Sequence, residues 1–293
     1  MASPPPVTWI RKDYHVHESH SSDAPGATVK KYCRMAERRG IDEIAFTTHL
    51  ILTGPDVEHG VSPEKIPEYL DEIEAARRGT TVELRSGLEV DYFPEVERRI
   101  ETVLDEHSLD FVLGSLHYIR GIDIGSRRNS PRFFAGRSLE ESLDVYFDGF
   151  REAIESGLFD AMAHPDYFRK YLHLTRPEPA TWEEYGATIY EAIDSLRSHG
   201  VGISVNSSGW RHGIGDVYPI RGLLEAANKA GVEKVTVGSD CHSIEDLGVN
   251  TLKAVRRLEE AGYSHLCVFE KRKNRKVSLA DVMDVKPRIN LIL

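Results

Sequence analysis

Seven short runs of β-branched and apolar residues recur along the chain, each followed by a longer segment of helical period. They lie approximately at Thr8–Val16, Glu43–Thr48, Val82–Val90, Phe111–Tyr118, Phe159–Ala163, Gly202–Asn206 and Lys234–Gly238. This alternation leaves few folds open. Strands connected through helices lie parallel, and a parallel sheet has to be covered on both faces. The simplest such arrangement is a closed α/β barrel, and a chain of 293 residues suits one barrel, which takes roughly 250.

The helices carry start and stop signals. Ser138 with Glu141 forms a capping box ahead of Leu139, Leu143, Tyr146, Phe147, Phe150 and Ile154 at helical spacing. Thr181 with Glu184 is expected to open a helix that puts Tyr185, Ile189, Ile193 and Leu196 on one face and closes at Gly200. Val29–Arg39 before Gly40 and Pro219–Ala230 before Gly231 read the same way. No linker rich in Pro, Gly or Ser divides the chain, so one domain over 1–293 is expected. The longest irregular stretch is Arg120–Arg137, and the run KRKNRK at 271–276 reads as solvated surface.

Charge and cysteines narrow the function. A net charge of −10 counts against nucleic acid or an anionic membrane as the main partner. Cys33, Cys241 and Cys267 form no paired pattern, as in a reducing compartment. The opening MASPPPVTWIRKDYH lacks a signal-peptide apolar stretch, and no run approaches the ~18 apolar residues of a membrane span. The expectation is a cytoplasmic protein without a membrane partner.

The histidines carry the chemistry. One His-x-His is weak, since 13 histidines in 293 residues yield roughly half such a pair by chance. Here the residues sit at successive strand ends: His15 and His17 on the first, with Asp23 in the loop after it, then His49, Glu89, His117 and His164, and finally Asp240 with His242. Six of the 13 histidines occupy these ends; His20, His59, His107, His173, His199, His212 and His265 are placed in helices or loops. In a parallel barrel the C-terminal strand ends share one rim, where such barrels build their active sites. Period two sends His15 and His17, and likewise Asp240 and His242, to one side. Nine imidazole and carboxylate groups would saturate two metal ions and leave ligands for a third, with Zn, Mn or Fe all compatible.

In order along the chain, DYHVH (13–17), FTTH (46–49), GLEVDY (87–92), GSLHYI (114–119), AHPD (163–166), NSSGWR (206–211) and VGSDCH (237–242) resemble the polymerase-and-histidinol-phosphatase (PHP) superfamily, and within it the histidinol-phosphatase branch. The resemblance implies a distorted seven-stranded (β/α)7 TIM-like barrel and a metal-dependent phosphomonoesterase with two or three divalent ions. It sorts the ligands into His15, His17, Glu89 and Asp240 for a first ion, Glu89 with His117 and His164 for a second, and Asp23, His49 and His242 for a third. Asp23 departs from the His common at its position. The resemblance also puts phosphate-binding residues in two rim loops, where Arg169 and Arg211 stand, with Asn206, Ser207 and Ser208 as further donors. Asp240 or His242 is the candidate to protonate the leaving group.

The implied partner is a small-molecule phosphate ester, foremost L-histidinol phosphate, which would place the protein in histidine biosynthesis. Two departures bear on the histidinol moiety. Ser204 stands where these phosphatases commonly have Glu. The loop after His117 carries Arg120, Arg127, Arg128, Arg132 and Arg137 where acidic and aromatic residues are expected. The rival readings are a phosphatase for another metabolite or a nucleotide, a nuclease, and a metal-binding scaffold without catalysis. An amidohydrolase would offer a bridging lysine on the fourth strand, and Phe111–Arg120 has none.

Overall fold

The computed structural model describes residues 8–285. Seven parallel strands are hydrogen-bonded in chain order: β1 (Lys12–Val16), β2 (Glu43–Leu50), β3 (Glu83–Asp91), β4 (Phe111–Ser115), β5 (Ala161–Ala163), β6 (Gly202–Asn206) and β7 (Val235–Gly238). β2 and β6 are buried at every position, as strands covered on both faces must be. The sheet curls until its edges meet. Val16 bridges Cys241 in parallel, His17 N–H donates to Cys241 O at 3.0 Å, and Asp240 N–H donates to His15 O at 2.8 Å. The result is a nearly closed barrel with helices around it.

Those helices follow from their sequences. Val29–Arg39 (α1) buries Val29, Tyr32, Cys33 and Ala36 and stops at Gly40, whose φ of 71° only glycine adopts without cost. The capping box of Leu139–Glu155 is made on both sides: Glu141 N–H donates to Ser138 Oγ, and Ser138 N–H donates to the Glu141 carboxylate. The Thr181–Glu184 box also forms, but it caps only a short 3-10 turn, Trp182–Tyr185. Gly186, at φ 70° and ψ −160°, breaks the path, and the α-helix begins at Thr188. The expected single helix is therefore two elements.

Other boundaries move as well. The first strand begins at Lys12, not Thr8, and the fourth ends at Ser115, so His117 stands in the loop beyond it. His265, expected in a helix or loop, begins a strand, β8 (His265–Glu270), that pairs antiparallel with β9 (Lys273–Ser278). The run KRKNRK is thus the turn and outer strand of a hairpin. That hairpin covers the barrel's N-terminal mouth. Phe269 packs on Phe111 with ring centroids 4.7 Å apart, and its N–H donates to the Tyr14 hydroxyl at 2.8 Å. Lys271 and Arg272 N–H groups donate to Asp110 just ahead of β4. The stretch Arg120–Arg137 is not wholly irregular: Tyr118–Ile119 pairs with Ile122–Asp123, and Ser130–Phe134 forms a helical turn.

Residues 1–7 of the opening segment lie outside the described residues, as do 286–293. No helix among the described residues is long and apolar enough to cross a membrane.

The β1–β7 closure leaves no room at Gly238. A Cβ there would stand 2.2 Å from the Cβ of His15 and 2.7 Å from its backbone N. Gly238→Ala is expected to lower unfolding free energy by about 1–3 kcal/mol, the usual cost of overpacking, and to reduce bound metal. Urea denaturation and metal analysis of the purified variant check this.

Candidate metal centre

The barrel brings all nine expected ligands to one rim. Register does part of this: His49 on β2 lies opposite Glu89 on β3. A register shift in β1 between Asp13 and Val16 surrounds His15, the kind of irregularity that re-aims side chains near active sites. Asp240 and His164 hold positive φ, 54° and 31°, which is uncommon for non-glycine residues and costs strain.

Four donor atoms outline the first site. His15 Nε2 lies 3.1 Å from His17 Nε2, 3.1 Å from Glu89 Oε2 and 3.5 Å from Asp240 Oδ1, and His17 Nε2 lies 3.3 Å from each of the last two. A tetrahedral ion with ligands at about 2.0–2.1 Å needs its donors about 3.3 Å apart, so the hole has the right size. Glu89 Oε2 is buried and makes no hydrogen bond, although His15 Nε2, His17 Nε2 and His49 Nδ1 (3.3 Å) surround it. Donors that converge on a point instead of pairing are what a cation requires. The residues present therefore fit a divalent metal.

The other carboxylate oxygen faces a second group. Glu89 Oε1 lies 2.9 Å from His164 Nε2 and 3.8 Å from His117 Nε2. A third group forms where His242 Nε2 meets Asp23 Oδ2 at 3.1 Å and His49 Nε2 lies 3.7 Å from the same oxygen. The donor atoms of His17, His49 and His242 also lie within 4.8 Å of one another.

The PHP domain family matches residues 13–208. The chain belongs to the PHP family. A probable histidinol-phosphatase of Deinococcus radiodurans is 31% identical over 258 residues, covering 85% of this PHP chain and 93% of the relative. A histidinol-phosphatase of Lactococcus lactis is 24% identical, covering 88% and 93%. The crystal structure of histidinol phosphate phosphatase from Lactococcus lactis, complexed with zinc, L-histidinol and phosphate, superposes with a TM-score of 0.77 at 22% identity. It covers 90% of this chain and 98% of the other, and confirms the barrel fold.

Electrostatics in the PHP site follow from burial and pairing. Burial pushes the Glu89 carboxyl up, but His15 and His164 outweigh it and hold it well below the usual range. Asp240 behaves likewise, with His15, His17 and His242 against its burial. Burial pushes His17 down to about 4, helped by His242 and His49. His117 is partly buried, which pushes it down, yet Asp91 and then Glu89 raise it to about 9.

Several supporting residues carried no sequence signal that the strand-end pattern could expose. Asp91 accepts His117 Nδ1–H at 2.8 Å and Ser115 Oγ–H at 3.2 Å, which leaves His117 Nε2 as the free donor. Asp13 accepts Ser239 N–H and Gly248 N–H, both at 2.8 Å, and so ties the segment holding Asp240 to β1. Asn206 and Ser208 donate to Asp240 Oδ2 at 3.0 and 3.2 Å, while Ser207 donates to Val249 O. These three hold the Asp240 carboxylate and the backbone, and none of them lines the cavity above.

A cavity of about 670 Å³ opens above the ligands. Arg211 is on its wall: Nη2 donates to the carbonyls of Ser239 and Asp240, both at 2.7 Å, and Nη1 is buried without a partner. Arg169 is not on the wall. It is packed away, donating to Asp166 at 3.0 Å and Val217 O at 2.9 Å, and its neighbour Lys170 lines the cavity with Tyr167 and His212. Ser204 also lies off the wall, buried opposite Thr236. Arg120, Arg127, Arg128, Arg132 and Arg137 are on the exterior.

Two outcomes test this centre. Because His117 keeps its proton up to about pH 9 in metal-free protein, metal uptake between pH 7 and 9 should release it, and affinity should rise with pH across that window. Zinc titration calorimetry in buffers of different ionisation enthalpy counts the protons. Asp91→Asn should weaken metal binding by about 10–100-fold, read by chelator competition.

Proposed function

We propose that this chain, as one PHP barrel domain over 1–293, is a metal-dependent phosphomonoesterase that hydrolyses L-histidinol phosphate to L-histidinol and phosphate. The observation that carries the reaction class is Glu89. One oxygen belongs to the His15, His17 and Asp240 group and the other to the His117 and His164 group, so two cation sites share a carboxylate beneath a single cavity. The substrate is supported by the relatives named histidinol-phosphatases and by the L-histidinol and phosphate bound in the Lactococcus lactis structure. That structure's zinc favours zinc here as well, with Mn and Fe compatible with the same nitrogen and oxygen donors. The third group, Asp23, His49 and His242, would accept a further ion.

Divalent ions held by these residues would supply Lewis acidity toward phosphate oxygens and toward water. The chain's own residues do the rest. Lys170 and Arg211 form the cationic wall that receives the phosphate, with Lys170 in the role that resemblance suggested for Arg169. Asp240, held ionised by its imidazole neighbours, orients ligands and is a poor proton donor. With the third group empty, His242, raised by Asp23 and Asp240 against its burial, is the better candidate to protonate the departing alkoxide; a further ion held there would take that role from it. Histidine biosynthesis in the cytoplasm is the setting this activity implies.

The deciding experiment is phosphate release from L-histidinol phosphate by zinc-, manganese- and iron-reconstituted protein beside a panel of sugar phosphates and nucleotides. Histidinol phosphate should be strongly preferred. His117→Ala and His164→Ala should each cost more than the ~100-fold loss typical of a supporting group. Full activity in either variant would remove the metal assignment, and preference for another ester would remove the substrate.

A further inference from the structure

The metal centre leaves the opposite end of the barrel without a role. There the β8–β9 hairpin carries the run KRKNRK at 271–276, and the fold sorts its charges. Arg272 ion-pairs with Asp160 at 2.6 Å and Lys276 with Glu233 at 2.7 Å. Lys271, Lys273 and Arg275 have no carboxylate within 4 Å among the described residues. These three, and not the paired two, line a cavity of about 320 Å³ that shares no residue with the metal cavity.

Edge strands are commonly rich in lysine as a guard against unwanted pairing, and exposed lysines alone would need no further account. A second observation points to a ligand. Arg85 on β3 lines the same cavity with a side chain only 12% exposed. Its Nε donates to Glu43 at 2.9 Å, and Glu43 is held in turn by Lys12 at 2.9 Å and the Tyr14 hydroxyl at 2.7 Å, so the guanidinium is braced. Nη1 lies 3.6 Å from Glu270 and Nη2 lies 3.7 Å from Glu83, both too long for hydrogen bonds, which leaves donors on each nitrogen unspent. The turn adds a third feature. Lys271 and Arg272 take φ of 51° and 63°, where Asn and Gly are the usual choices, and their N–H groups are tied to Asp110 at 3.0 Å. The chain keeps a lysine at the cavity although the backbone there favours a smaller residue.

We propose that this cavity is an anion site, separate from the metal centre, that binds a diphosphate group. Four cations reach it from β3, the turn and β9, and Glu270, 66% exposed, is the one carboxylate among the described residues lining it. Lys273 and Arg275, two residues apart, share a face of β9. A braced guanidinium supplies directed donors and the lysines supply mobile point charges, a set that matches oxygens spread over adjacent phosphorus atoms. The volume stands at the lower end of the ~300–1,000 Å³ of small-molecule sites, enough for a diphosphate alone or on a small ester. The site does not depend on the phosphatase reaction.

The test is equilibrium dialysis of zinc-loaded protein against pyrophosphate and, in parallel, ADP, at concentrations that leave the zinc content unchanged. Wild type is compared with Lys271→Gln/Lys273→Gln/Arg275→Gln, and with Arg34→Gln/Arg38→Gln/Arg78→Gln, a control at exposed arginines elsewhere with the same change in net charge. Wild type and control should bind one more equivalent than the cavity variant, whose affinity at this site should fall by about tenfold or more. Phosphate release and zinc content should be the same in all three. Arg85→Lys, which keeps a charge beside Glu43 but loses the second and third donor nitrogens, should weaken binding about threefold or more. Tighter binding of pyrophosphate would assign the site to the free anion, and tighter binding of ADP to a nucleotide-borne diphosphate. Equal stoichiometry in wild type and the cavity variant overturns the proposal. So does an equal loss in the control, which would mean general charge attraction, or the absence of binding by either probe.

Discussion

A single buried carboxylate organises the rim. Glu89 is 1% exposed and ionised, and a lone charge in that position would cost several kcal/mol. It is tolerable because five imidazoles from four strand ends surround it: His15 and His17, His49, His117 and His164 all place a ring nitrogen within 4 Å of its oxygens. Remove that charge and the histidines lose the reason to converge. Remove the histidines and the charge becomes a liability. The two halves of the centre are mutually dependent, and β3 is the element that joins them.

Holding such a cluster takes support from outside it. Asp91 sets the tautomer of His117, Asn206 and Ser208 hold one oxygen of Asp240, and Asp13 anchors the segment on which Asp240 adopts its strained backbone. Arg211 adds two bonds to the carbonyls of that segment while keeping one guanidinium nitrogen unspent. One arginine thereby links the segment that carries Asp240 to the cavity wall. This is how preorganisation is built: each reactive group is fixed by another whose position the barrel sets.

The strand-end histidines were legible because parallel strands convert a sequence position into a place on the rim, whatever the details of the loops. Where the backbone leaves that simple rule, sequence reading loses its footing. Arg169 and Lys170 are adjacent, and the 3-10 winding of Tyr167–Leu174 turns successive residues about 120° apart, so which cation meets the cavity depends on a local twist with no sequence marker. The Thr181 capping box is correct as chemistry but cannot reveal that Gly186 ends what it starts. Asp91 looks like an ordinary acidic residue until neighbours distant in sequence give it partners. The hairpin at 265–278 was hidden because its outer strand, KNRKVS, is mostly polar and rich in lysine and arginine, as exposed edge strands commonly are.

That hairpin has a kinetic consequence. With Phe269 seated against Tyr14 and Phe111, the barrel is stoppered at one end, and everything that enters the metal cavity must leave by the same door. In a phosphatase so built, substrate, alcohol and phosphate would all share that one opening, so whichever product lay deeper would have to wait for the other to clear it.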